Sequence, residues 1–106
     1  MKYIKKFEDK EYDFLPDVGD YVIIETHTFD DDFDDFINNT IFKVVKCWKD
    51  REGHYEVRLK CNYVPKKFSI YFFEGNEIIY WASIIKEIAK TRKELEVKLS
   101  ANKYNL

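Results

Sequence analysis

The 106-residue sequence predicts one mainly β domain with α additions, and three observations carry that expectation. β-Branched and aromatic residues gather in short runs, turn residues separate those runs, and the apolar period becomes helical between residues 28 and 38 and again after residue 83. A chain of this length supplies one core and is short for two, so residues 1–106 are expected to form a single domain.

The elements follow in order. Residues 1–15 carry Tyr3, Ile4, Phe7, Tyr12 and Phe14, which suits a short N-terminal helix or irregular arm packed on the core. Pro16 and Gly19 then mark a turn, because proline fixes its own φ and glycine accepts conformations closed to other residues. DYVIIET, residues 20–26, is the first strand. In the next stretch Phe29, Phe33, Phe36 and Ile37 recur on one face of a helix, with Thr28 as the expected cap, Asp31 reaching back to it and Asn38 and Asn39 as terminators. Residues 28–38 thus form an acidic helical insertion.

TIFKVVKCWK, residues 40–49, is the second strand, with a β-bulge at Val44 and Val45 where the alternation stumbles. DREG closes a hairpin on a glycine of positive φ. Beyond it, Tyr55, Val57, Leu59 and Cys61 make one face and His54, Glu56, Arg58 and Lys60 the other. After Pro65, KKFSIYFFEGNEIIYW reads as strand, EGN turn and short strand, with Ile70 and Phe72 inward and Ser69, Tyr71 and Phe73 facing outward or toward another packed element. From Ser83 the spacing of Ile84, Ile85, Ile88 and Ala89 is helical, and Thr91 with Glu94 caps a second helix bearing Leu95 and Leu99. Five short, bent strands favour an SH3-like small antiparallel barrel, because closure removes exposed edges. The barrel is expected over residues 16–82, followed by a C-terminal helical region over 83–106.

The segments PDVGDYVIIE, IFKVVKC, HYEVRLK, FFEGNEIIYW and KYNL resemble small, uncharacterised phage-encoded proteins with an SH3-like barrel. That resemblance implies a phage origin, a cytoplasmic location in an infected bacterial host, and an accessory role against host machinery. A host protein or nucleoprotein complex is the implied partner, and inhibition of a nucleic-acid-handling defence system such as CRISPR-Cas is the implied effect. The FDDDFDDF insertion departs from the commoner shorter versions.

The residues themselves say less about chemistry. Eighteen basic and 20 acidic side chains leave a net charge of -2, but residues 1–39 carry -8 and residues 40–106 carry +6. No apolar run approaches the roughly 20 residues of a membrane span, and the N-terminus lacks the apolar region and small-residue site of a secretory leader. A cytoplasmic protein without membrane contact is expected.

Asp30, Asp31, Asp32, Asp34 and Asp35 admit three readings: a solvated helix face, a partner-binding or phosphate-mimicking surface, or a Ca2+ or Mg2+ site. The glycine and terminal glutamate of an EF-hand loop are missing, so no metal is expected. Phe29, Phe33, Phe36 and Trp48 are the aromatic anchors for a partner, the alternative being that the three phenylalanines simply dock their helix. Tyr71, Phe73, Tyr80 and Trp81 are further candidates for accessible rings. Lys43, Lys46, Lys60, Lys66 and Lys67, beside Trp48 and Tyr71, are the alternative nucleic-acid surface, against the plainer reading of a solvated sheet face and the further one of a surface for an acidic protein partner.

Enzyme constellations are poor. His27 and His54 stand outside any nucleophile or metal motif, and Cys47 and Cys61 read as reduced core thiols. A non-catalytic protein without cofactors follows, either recognising a partner, binding nucleic acid as a small-barrel module, or self-associating as a structural phage protein; the oligomeric state is open.

Overall fold

The computed structural model describes residues 15–104, so the N-terminal arm expected over residues 1–15 lies, apart from Leu15, outside the described residues. In chain order the elements are β1 (Tyr21–Ile24), α1 (Asp31–Asn38), β2 (Phe42–Lys49), β3 (Tyr55–Lys60), a 3-10 turn (Lys66–Tyr71), β4 (Glu77–Trp81), a second 3-10 turn (Ala82–Ile84), β5 (Ile85–Ala89) and α2 (Arg92–Tyr104). The five strands form one antiparallel sheet in the order β4-β3-β2-β1-β5.

The expected SH3-like barrel is not formed. β4 and β5 end the strand order, and no ladder joins them. Yet three residues, Ala82–Ile84, connect them. The edges of a flat five-stranded sheet lie about 19 Å apart, whereas three residues of 3-10 turn advance about 6 Å. The sheet is therefore strongly curled but open. Helical turns take a share of the described residues comparable to that of the strands, which makes the domain mixed α/β rather than mainly β.

The central hairpin follows its sequence pattern closely. β2 carries a register shift between Val44 and Lys46, which leaves Val45 outside the alternation. In the connecting turn the Asp50 carboxylate accepts from the N–H groups of Glu52 and His54, each at 2.9 Å, and Gly53 adopts φ 90. Val57, Leu59 and Cys61 are buried on the inner face.

Two segments differ from expectation. Residues 66–71 form a 3-10 turn rather than a strand, because tertiary packing outweighs the β preference of an aromatic run. Phe68 is the buried residue of that turn, edge-on to Phe33 at 5.3 Å and stacked on Phe36 at 5.6 Å. Ile70, expected inward, is 79% exposed. Residues 85–89, expected to be helical, form β5 along β1, with Val22 opposite Ile88 and Tyr21 opposite Ala89. The apolar spacing of IIKEIA is helical, but its isoleucines are β-branched and pairing along β1 selects the strand.

β1 is covered on both faces, which explains its unbroken apolar run. Val22 and Ile24 join the main core with Phe42, Val44, Val57 and Leu59, while Ile23 packs with Ile41 and Leu95 under α2. α2 begins in a reciprocal capping box: the Thr91 N–H donates to the Glu94 carboxylate and the Glu94 N–H to the Thr91 hydroxyl, both at 3.4 Å. Among the described residues no helix is long and apolar enough to cross a membrane.

Candidate functional site

The site begins with what α1 does to the chain before it. Asp30, rather than Thr28, is the N-cap, with its carboxylate accepting from the Phe33 N–H at 3.1 Å. Thr28 instead belongs to a clamp built on Asp34. That carboxylate accepts from the Thr28 N–H at 2.7 Å, the Thr28 hydroxyl at 3.0 Å and the Thr26 hydroxyl at 2.9 Å. Desolvation pushes the Asp34 carboxyl up, but the hydrogen bonds from Thr28 and Thr26 and the nearby His27 outweigh it and hold the carboxyl below its ordinary value. The Asp30 N–H also donates to the Thr28 hydroxyl at 3.1 Å. Both neighbours of Phe29 are thus pinned, while the Phe29 ring projects fully into solvent at 108% exposure.

Phe29 stands at the rim of a groove of about 570 Å³, with Phe33, Tyr71, Phe73, Ile78, Ile79 and Tyr80 among its lining residues. Three elements build it: the entry to α1, the 3-10 turn Lys66–Tyr71 with the chain after it, and β4. Phe33 and Tyr71 are in ring contact at 5.2 Å and join the first two. Phe73 is held against β4 by a pair of backbone hydrogen bonds with Glu77, across a turn in which Gly75 and Asn76 both take positive φ. Burial, with the Asp34 carboxylate adding to it, pushes the Tyr80 hydroxyl up to about 12, so it stays protonated at the groove floor. Among the described residues Asp30 is the one charged residue of the lining.

The five aspartates do not act alike. Asp34 is half-buried in the clamp and Asp30 caps the helix while staying exposed, as Asp31, Asp32 and Asp35 are. Asp32 faces Lys67 at 3.6 Å. Among the described residues no three His, Cys, Asp or Glu side chains converge as metal ligands. Of the aromatic candidates, Phe33 is buried and Phe36 half-buried against Phe68, so both dock α1, and Trp48 is half-buried on β2. Phe29 alone of the four is fully presented.

Lys43, Lys46 and Lys60 are brought together on the outer face of the sheet. The register sets Lys43 beside Lys60 and Lys46 beside Arg58, next to a row in which Trp48, Glu56 and Trp81 are neighbours across three strands. The Lys46 ammonium lies 5.3 Å from the Trp48 ring, and His54 stacks on Trp81 at 5.4 Å. Lys66 and Lys67 stand apart, on the 3-10 turn. Cys47 and Cys61 are free thiols, and burial pushes both up, away from the thiolate form.

Sequence periodicity did not single out Ile79 or the Thr26–Thr28–Asp34 clamp. A threonine pair before an acidic helix is a signal for such a clamp, since hydroxyls and carboxylates there satisfy open backbone groups.

No family model, curated protein or solved structure matches the chain. The resemblance to phage-encoded SH3-like proteins is therefore withdrawn, together with the phage origin and the CRISPR-Cas inhibition it implied. Two of the segments that carried it have local explanations: Gly19 of GDYV takes φ 98 ahead of β1, and EIIYW is the edge strand of an open sheet.

Proposed function

We propose that this protein is a non-catalytic recognition module for another protein, with the groove between Phe29 and β4 as its binding site. One observation carries the reading: an apolar groove whose rim holds a fully exposed phenylalanine between two pinned residues. Burying such a ring is worth about 2 kcal/mol, and a clamp that keeps it out of the core leaves that energy for association. Tyr71 and Phe73, both more than half exposed, extend the same surface.

Charge indicates the partner's chemistry. Among the described residues no Lys or Arg lines the groove, Asp30 does, and Asp31 and Asp32 follow it on the helix. A partner segment with an apolar anchor flanked by Lys or Arg is the complement, with the exposed carboxylates steering its approach. Phosphate mimicry by all five aspartates fits less well, because Asp34 is engaged by Thr26 and Thr28 and half-buried. A reducing, cytoplasmic setting belongs to the proposal and agrees with two free thiols.

Selection from a yeast-displayed library of random twelve-residue peptides tests it. Enriched peptides are expected to share an aromatic or aliphatic anchor beside basic residues; failure of any peptide to enrich above a Phe29→Ala counter-selection contradicts the reading.

A second reading rests on the outer sheet face, where Lys43, Lys46 and Lys60 share a surface with Trp48 and Trp81. Basic side chains beside accessible rings suit a single-stranded nucleic acid, whose bases stack while its phosphates pair. Glu56 and Glu77 on that face weaken it.

A further inference from the structure

We infer that the partner segment binds as an added β-strand on the free edge of β4, hydrogen-bonded to the backbone of Ile79. The inference rests on the protein-recognition reading and specifies how the groove is used.

Ile78, Ile79 and Tyr80 all line the groove. Consecutive side chains of a strand point to opposite faces, so a cavity touching all three runs along the strand's edge rather than over one face. Among the described residues that edge is unpaired beyond Glu77, because β4 ends the strand order and its one ladder there is to β3.

The backbone polarity of β4 follows from its ends. In an antiparallel ladder, alternate residues direct both N–H and C=O to the same side. The Glu77 N–H and C=O are bonded to Phe73, on the side away from β3, while the Asn76 C=O accepts from the Cys61 N–H on the β3 side. Ile78 and Tyr80 therefore face β3, and Ile79, like Glu77, faces outward. Among the described residues no hydrogen bond engages the Ile79 N–H or C=O. Phe73 occupies the outer position beside Glu77 and stops there, so the short natural addition to the edge ends where the groove opens.

An unpaired donor and acceptor flanked by apolar pockets is the requirement for strand addition, in which main-chain bonds supply affinity and alternate side chains supply specificity. The occupant is an extended, basic peptide segment. Its main chain pairs with Ile79, an aromatic or aliphatic side chain enters between Phe29 and Tyr71, and its Lys or Arg residues face Asp30 and Asp31.

The probe is the tightest peptide from the library selection, synthesised with blocked ends. Amide hydrogen exchange is measured on the wild-type protein with and without it, and affinity is measured for Phe29→Ala, Ile79→Val and Ile79→Pro. Proline removes an outward N–H without taking a ladder bond, which is the position where an edge strand tolerates it. The inference expects exchange at Ile79 to slow at least about tenfold, beyond any change at Ile78 and Tyr80. It also expects Ile79→Pro to weaken binding about tenfold while Ile79→Val retains it.

Unchanged exchange at Ile79, with binding still lost in Phe29→Ala, overturns strand addition and leaves the groove reading standing. Absence of any selected peptide overturns both. Protection of Ile79 by self-association of the protein alone also overturns the inference, since a second copy would then be the occupant. Because exchange is read on the wild type, the outcome does not depend on Ile79→Pro folding.

Discussion

The guanidinium carbon of Arg58 lies 4.9 Å from the ring centroid of Phe73, and the Arg58 Nε donates to the Glu77 carboxylate across the β3–β4 ladder. Phe73 is a wall of the groove, so a charged residue on the outer face of the sheet fixes an apolar surface at its edge. Both partners of the ion pair are partly shielded from solvent, which favours a defined geometry over a loose surface pair.

Replacing Arg58 tests that coupling. Arg58→Ala removes the planar cation over Phe73 and leaves Glu77 without its partner, and a loss of about 1 kcal/mol in stability is expected. Arg58→Lys keeps the charge but not the plane, so it is expected to restore stability more fully than peptide affinity. Thermal unfolding and peptide titration on both variants separate the two effects.

The Asp34 clamp gives stability a dependence on acid. Its folded-state pKa is depressed below the ordinary 3.8, so its contribution is complete at neutral pH, declines as pH falls towards 3.8 and is lost once pH passes below the folded value. Asp34→Asn is expected to flatten the stability profile in that acidic window and to lower peptide affinity at pH 7 by loosening the chain around Phe29. Chemical denaturation from pH 7 down to pH 3 reads the first effect; a profile identical to wild type would count against the clamp.

Leu95 is the fully buried anchor of α2, packed with Ile23 and Ile41 behind β1. Leu95→Ala is expected to cost about 2–4 kcal/mol, and peptide affinity at temperatures where the variant is folded should be unchanged, because α2 lies on the other side of β1 from the main core. Denaturant unfolding with a parallel titration measures both.

The nucleic-acid reading predicts something separable. Oligo-dT should bind with an affinity that falls steeply with salt, and Lys43→Ala, Lys46→Ala and Lys60→Ala should each reduce the salt slope by about one. Fluorescence anisotropy at several salt concentrations decides it, and salt-independent or absent binding removes that reading.

Legibility in the sequence followed locality. The β2–β3 hairpin, its bulge at Val45, the Gly53 turn and the Thr91–Glu94 capping box are set by residues within a few positions of one another, and all were visible as patterns. Residues 66–71 and 85–89 were misread because their conformations are chosen by distant partners: Phe33 and Phe36 for the first, β1 for the second. Openness of the sheet is likewise a long-range property that no window of sequence carries. The site was half legible. Phe29 and the acidic helix stood out, but the Ile79 edge emerges only from the strand order.

Titration of the selected peptide into wild-type protein and Phe29→Ala tests the central claim most directly. Because the ring is fully exposed, the substitution should leave Tm unchanged while weakening binding by at least about tenfold. Equal affinities for the two proteins would contradict the account.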